Sequence, residues 1–257
     1  MSEVFHFSEG NSPLIVSIPH VGLNIPDDLK ADMTDAALSL TDTDWYVDRL
    51  YNFLEDMDVS VIAANYSRYV VDLNRGVDGV SLYPGQKVTE LCPSTTFNDE
   101  PLYREGKGPD EAQRIATYWQ PYHQKIQSEL ERLKEKHGFA RLWDAHSIRS
   151  HVPELFEGRL SDLNLGTGNG ISASHALSEK LDRIIQASGY TTALNGRFKG
   201  GYITRHYGDP KNNIDAVQLE ISQVTYMDEA PMVDFREDKA EALRPTLKML
   251  IETMMVE

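Results

Sequence analysis

An α/β protein with a sheet buried on both faces is the fold class this sequence predicts, on three observations. Short apolar runs alternate with helical patterns from one end of the chain to the other. The runs are four to six residues long, largely β-branched or apolar, and polar residues interrupt them mainly at their ends, as in strands covered on both sides. The chain has 257 residues, 40% hydrophobic and 25% charged, which is ordinary globular composition with enough length for a sizeable core.

In chain order, the first expected strand is LIVSI at 14–18. The acidic start DTDW and the apolar positions after it suit a helix over 44–57. VSVIAA at 59–64 and YVVDL at 69–73 are expected strands. The best helix runs over 109–137: Pro109 fits a first turn, Gly138 fits a stop, and Ile115, Tyr118, Tyr122, Ile126, Leu130 and Leu133 recur at three-to-four spacing. Pro121 should kink or split it. Strands at 140–143, 191–194 and 216–221 and helices at 172–188 and 239–255 complete the pattern. Two long loops remain, 76–108 and 197–213, whose aromatic residues argue against linkers. The expectation is one domain over 1–257 with these loops folded over one end of the sheet.

Charge and cysteine content exclude several functions. With 25 Lys and Arg against 40 Asp and Glu, the formal charge is −15, and no basic stripe is present to neutralise phosphates or attract a membrane, so neither nucleic acid nor membrane is an expected partner. The single cysteine, Cys92, forms no internal disulfide and supplies no thiolate cage, so any metal here would rest on histidine and carboxylate. No basic start with an apolar run opens the chain and no stretch nears the ~20 residues of a membrane span, which suits a cytoplasmic protein.

Polar residues collect where strands end, the place at which open α/β sheets bind ligands. PLIVSIPH delivers His20, and RLWDAHS delivers Asp144 and His146 on one face by period two. VQLEIS puts Glu220 inside an apolar strand, a costly position unless the charge is paired or lies at a mouth. LTDTDW offers Asp42 and Asp44, either as helix caps or as outward-reaching ligands. SRYVVDLNRG brackets an expected strand with Arg68, Asp72, Asn74 and Arg75. An arginine fork beside an amide is a natural carboxylate clamp, while Arg68 with Asp72 could equally brace the strand. NGRFKGGYITRHYGDP adds Arg197, Lys199 and Arg205 among glycines that allow close approach to a ligand. LGTGNG lacks the spacing of a nucleotide cradle, and no GxSxG marks a serine hydrolase.

Taken in order, SIPHVGLNIP, DTDWYVDRLY, SRYVVDLNRG, LYP, WDAHS and GGYITRHYG resemble the N-formylglutamate amidohydrolase family over most of the chain. The resemblance, through that family's relation to zinc carboxypeptidases and aspartoacylases, implies a three-layer αβα fold with a mixed central sheet, phosphorylase/hydrolase-like in kind, and one zinc at the strand ends. It implies His20 and His146 as metal ligands, Glu220 as general base, and Asn74 with Arg75 at the substrate's α-carboxylate. The relatives carry a glutamate ligand three residues after the first histidine, where this chain has Leu23, so the third ligand must come from elsewhere: Asp44 first, Asp42 second.

The implied reaction is hydrolysis of N-formyl-L-glutamate to formate and L-glutamate, a step of histidine breakdown. Two histidines and a carboxylate leave zinc an open position where water becomes acidic near neutral pH. Glu220 would carry the proton to the leaving amine, and Arg68 would help stabilise the developing oxyanion. Asp144 and Asp72 would support the ligands, and Arg75 with Arg197, Lys199 and Arg205 would meet a substrate bearing two carboxylates. The competing expectations are a zinc deacylase of another N-acyl amino acid and a non-catalytic binder of acidic metabolites.

Overall fold

The computed structural model describes residues 3–80, 89–229 and 233–256. Seven strands, β1 (Phe5–Ser8), β2 (Leu14–Ile18), β3 (Ser60–Ala64), β4 (Ala140–Ile148), β5 (Leu163–Gly166), β6 (Thr192–Leu194) and β7 (Ile214–Ser222), form a mixed sheet in the order β1-β3-β2-β4-β7-β5-β6. The inner strands β3, β2, β4 and β7 run parallel, while β1 runs antiparallel to β3, and β5 runs antiparallel to β7 and parallel to β6. Strands β8 (Met227–Asp228) and β9 (Asp234–Phe235) pair separately as a short ribbon.

Helices α1 (Asp27–Lys30), α2 (Asp35–Leu38), α3 (Val47–Leu50) and α4 (Glu111–Arg114) are single turns; α5 (Gln120–His137), α6 (His175–Ala187), α7 (Tyr202–Tyr207) and α8 (Glu237–Met254) are longer. On one face of the sheet, Tyr122, Ile126, Leu130 and Leu133 of α5 and Ile203 of α7 pack on Ile15, Leu142 and Ala216. On the other, Leu50 of α3, Leu177 and Leu181 of α6 and Leu243 and Leu247 of α8 pack on Val16, Trp143, Val217 and Leu219. Neighbouring residues of one strand thus enter opposite layers, as a period of two requires. The result is the three-layer αβα arrangement. No described helix is long and apolar enough to cross a membrane.

Several elements differ from expectation. Residues 69–73 are not a strand: Tyr69 and Val70 enter one apolar cluster with Met33 and Leu102, and Val71 and Leu73 enter another beside α5. The backbone is satisfied by turns and by Arg114, whose Nη1 donates to Val70 O at 2.9 Å. Burial between two clusters demands the same apolar residues a strand would. The helix expected over 44–57 reduces to α3 and a 3₁₀ turn, because Tyr46 immediately before it is left-handed at φ 59°. The helix over 109–137 carries a π-turn at Ile115–Trp119, just before Pro121, which has no N–H to continue the regular ladder. Strands β4 and β7 extend to nine residues each. The sequence reading missed β1, β5 and α7, the last lying inside an expected loop. LYP at 82–84 lies outside the described residues.

Candidate active site

The three central strands change character along one face. That face begins apolar, with Ile15 on β2, Leu142 on β4 and Ala216 on β7, against α5 and α7. Two residues on, it carries Ser17, Asp144 and Gln218, paired in register across the strands. Two residues further, His146 stands opposite Glu220, and the chain leaving β2 presents His20. The other face keeps Trp143, Ala145, Val217, Leu219 and Ile221 in the core and turns polar on β4 only at the buried Ser147, so the sheet keeps its core while opening a polar mouth at its carboxyl edge.

Asp44 reaches this mouth from the segment before α3, with its N–H bonded to His20 O at 3.1 Å. Its Oδ2 lies 3.0 Å from His146 Nδ1 and 3.7 Å from His20 Nδ1, and accepts from Ser147 N at 3.1 Å. Ligand atoms of His20, Asp44 and His146 lie within 4.8 Å of one another, all three residues being buried. His20 Nδ1 is buried with no hydrogen-bond partner, a costly state for a ring nitrogen unless something else binds it. Two imidazole nitrogens and a carboxylate are the donor set of a divalent-metal site. These residues therefore fit a metal. Asp42 faces elsewhere, accepting from Phe97 N at 2.7 Å and lying 3.5 Å from Arg149. Leu23, the position at which the family resemblance implies a ligand that this chain lacks, is 49% exposed.

Both histidines are braced from behind. His20 Nε2 lies 2.8 Å from Asp72 Oδ1, and His146 Nε2 lies 3.1 Å from Asp144 Oδ2, which turns each Nδ1 toward Asp44. Arg68 donates to Asp72 Oδ2 at 2.7 Å and sits 3.7 Å from Asp44 Oδ1. Burial opposes ionisation of Asp72, yet Arg68, Arg75 and His20 hold its carboxyl well below the usual range. Asp44 is likewise lowered against its burial, by His20 and His146. Burial disfavours a charged His146, but Asp144 and Asp44 outweigh it and raise its pKa.

Glu220 shows the opposite balance. Burial, with Asp44 and Asp144 nearby, pushes its pKa up to about 8 against the pull of His146 and Arg68. Its Oε2 accepts from Gln218 Nε2 at 3.1 Å, and Gln218 Oε1 accepts from Gly201 N at 2.7 Å. Gln218 was missed from the sequence, although its place two residues before Glu220 put both on one face.

The cleft in front of these groups encloses about 590 Å³, open solvent included, and among its lining residues are His20, Asp44, Arg68, Asn74, His146 and Glu220. Arg75 and Arg197 also line it, as do Phe97, Ile148, Leu155 and Phe198, apolar residues the sequence did not single out. Lys199 and Arg205 are not among the described lining residues, and Arg205 Nε bonds Gly200 O at 2.8 Å, beside α7. Arg75 holds Thr89 O, Thr89 Oγ1 and Asn74 O through three donors at 2.8–3.0 Å.

Asn74, expected at a substrate carboxylate, has its amide bonded inside the protein. Its Oδ1 accepts from Ile203 N at 2.8 Å, and its Nδ2 faces His146 Nε2 at 2.9 Å and Asp144 Oδ2 at 3.3 Å. The loop carrying it is held from below: His123 Nε2 lies 2.9 Å from Leu73 O, and Trp119 Nε1 donates to Arg75 O at 2.8 Å. Both side chains come from the π-turn and the start of α5. Gly201 passes so close that an added Cβ would sit 2.3 Å from Asn74 Nδ2, and Gly22 passes equally close to Tyr66 O.

Comparison with known proteins adds independent findings. The family model for N-formylglutamate amidohydrolase matches residues 12–227. Two curated proteins called N-formylglutamate deformylase, from Pseudomonas aeruginosa and Pseudomonas putida, are 50% and 48% identical to this chain, covering 99% of it and 97% of each of theirs. The fold is similar to the crystal structure of an N-formylglutamate amidohydrolase from Ralstonia eutropha JMP134, with TM-score 0.79, 25% identity, and coverage of 97% of this chain and 95% of that one. A protein from Agrobacterium tumefaciens shares the fold at TM-score 0.75 and 13% identity, over 98% of this chain and 95% of that one.

Proposed function

The chain belongs to the N-formylglutamate amidohydrolase family, and on that premise we propose that it hydrolyses N-formyl-L-glutamate to formate and L-glutamate with one zinc ion held by His20, Asp44 and His146. The observation that carries the metal is the buried, partnerless Nδ1 of His20, aimed at the same point as His146 Nδ1 and an Asp44 oxygen. Zinc bound there supplies Lewis acidity, which brings water's acidity toward neutrality and polarises a carbonyl.

The protein groups divide the remaining work. Glu220, on the strand beside His146, takes a proton from water and returns it to the leaving amine of glutamate. The same burial that keeps Glu220 protonated near neutral pH means that a cation beside it draws the carboxylate back to its charged, proton-accepting form. Arg68, fixed by Asp72, offers positive charge where the formyl oxygen becomes negative. Arg75 and Arg197 line the cleft and meet the two carboxylates of the substrate, while Phe97, Leu155 and Phe198 limit its width. Lys199 and Arg205 act from outside the cleft, adding to the positive field at its rim. We further propose that this reaction is the last step of a histidine degradation route and takes place in the cytoplasm.

The test is to incubate metal-analysed protein with N-formyl-L-glutamate or N-acetyl-L-glutamate, with and without chelator, and to measure formate, acetate and glutamate. Chelator-sensitive formate release is expected. Acetate release alone would replace the substrate, and chelator-insensitive turnover would remove the metal.

A further inference from the structure

The third ligand of the proposed metal site does not sit on a strand. His146 belongs to β4, and His20 follows β2 by two residues, but Asp44 lies in a loop between α2 and α3. That loop is bounded by two non-glycine residues in the left-handed region, Leu40 at φ 54° and Tyr46 at φ 59°. Such backbone persists only where the surroundings over-determine it.

The residues that hold the loop come from the turn after β7. Gln223 Nε2 donates to Thr43 O at 3.0 Å, and Tyr226 Oη donates to Trp45 O at 2.6 Å. These are the carbonyls immediately before and after Asp44. Ser147 Oγ joins the two clamps, 3.3 Å from Gln223 Nε2 and 2.8 Å from Tyr226 Oη. Tyr226 Oη has one proton for two acceptors, Trp45 O and Ser147 Oγ, and Ser147 Oγ also accepts from the Gln223 amide, so the three side chains form one connected network. All three side chains are buried, and Ser147 also gives its backbone N–H to Asp44 Oδ2 at 3.1 Å.

We propose that Gln223, Ser147 and Tyr226 are positioning residues for the metal, a clamp that fixes the backbone on both sides of Asp44 and so gives a loop carboxylate the precision of a strand-borne ligand. This rests on the metal site proposed above. It also means that β7 supplies the site twice: Glu220 directly, and the hold on Asp44 through the turn that follows.

The experiment is zinc affinity by competition with a chromogenic chelator, with the absorption spectrum of the Co²⁺-substituted protein and the thermal midpoint of the metal-free protein recorded alongside. The variants are Tyr226→Phe, Gln223→Met, Asp44→Asn, and Tyr226→Phe combined with Asp44→Asn. Tyr226→Phe and Gln223→Met are each expected to weaken zinc binding by about 10- to 100-fold and to alter the Co²⁺ spectrum. Tyr226→Phe is expected to cost no further affinity once Asp44 is replaced, because it acts through that residue. Gln223→Met approaches the loop from the other side and decides the matter if Tyr226→Phe does not fold. Zinc affinity within twofold of the parent in the single variants overturns the clamp alone, as does a loss that persists in full beside Asp44→Asn. Absence of zinc binding by the parent, or indifference to Asp44→Asn, overturns the metal site and the clamp with it.

Discussion

Asp72 lies 2.8 Å from His20 Nε2 through one oxygen and takes a 2.7 Å hydrogen bond from Arg68 through the other. One buried carboxylate thus orients a proposed ligand and neutralises the neighbouring cation. Asp72→Asn is expected to lower metal affinity about 10- to 100-fold, by releasing His20, and to cost on the order of 3 kcal/mol of stability, by leaving Arg68 short of a partner. Chelator competition and urea unfolding measure the two effects separately. Unchanged metal affinity would show that His20 needs no orienting partner.

Glu220→Gln should reduce turnover about 10²- to 10⁴-fold while metal content stays at the parent value. The metal-free protein should also gain stability. With a folded pKa of about 8 against an ordinary 4.5, native Glu220 keeps a proton that the unfolded chain gives up, so stability falls as pH rises between those values. The gain from Gln is therefore absent below about pH 4.5, grows with pH, and is complete above about 8. Thermal midpoints of the two metal-free proteins at pH 5 and pH 8.5 reveal it; equal differences at both would refute the shift.

His123 behaves in the reverse sense. Burial lowers its pKa to about 3 from 6.5, against the pull of Leu73 O. Between those values the unfolded chain binds a proton that the native state does not, so the stability present above 6.5 is lost as the solution is acidified. The loss approaches about 1.4 kcal/mol per pH unit at its steepest. Urea midpoints of the parent should fall more steeply below pH 6.5 than those of His123→Gln; parallel curves would sink the assignment.

Gly201→Ala tests the packing behind His146. The new Cβ would meet Asn74 Nδ2 at 2.3 Å, so either α7 or Asn74 must move. Overpacking of this kind costs about 1–3 kcal/mol, and because Asn74 touches both His146 and Asp144, activity should fall with it. A variant with parental thermal midpoint and turnover would mean that the loop yields freely.

Arg75→Ala should raise KM for dicarboxylic substrates by about tenfold or more with a smaller change in kcat, the loss of one charged hydrogen bond to substrate. Arg75→Lys should not restore it, since a lone ammonium cannot span Thr89 O, Thr89 Oγ1 and Asn74 O. Equal KM for all three proteins would remove Arg75 from the substrate site.

The parts of the candidate site that sit on strands or just past their ends were legible. His20, Asp144, His146 and Glu220 each break an apolar run near its carboxyl end, and such a break has few causes other than a ligand mouth. Alternation would also have given Gln218. Residues 69–73 misled because apolarity reports burial and not the kind of backbone buried. Asp42 and Asp44 stand two apart in a loop without a period, so only the fold separates the one facing the histidines from the one facing Phe97 and Arg149. Lys199 and Arg205 were read by charge, which carries no direction, and neither is among the described residues that line the cleft. Gln223 and Tyr226 carry no motif, since their task is defined by carbonyls about 180 residues away in sequence.

The polar face of β4 and β7 has a bearing on how the chain reaches its native pairing. Asp144, His146, Gln218 and Glu220 alternate with Trp143, Ala145, Val217 and Leu219. Were either strand to slip by one residue and turn over, two ionisable or amide side chains would be driven into the layer of α6 and α8, and two apolar ones, Trp143 among them on β4, into the open mouth. Each misplaced charge costs several kcal/mol, against a native stability of only about 5–15 kcal/mol for a typical domain. The groups that serve chemistry therefore also proofread the assembly of the sheet, and a mutation that neutralises them removes a safeguard against misregistered folding.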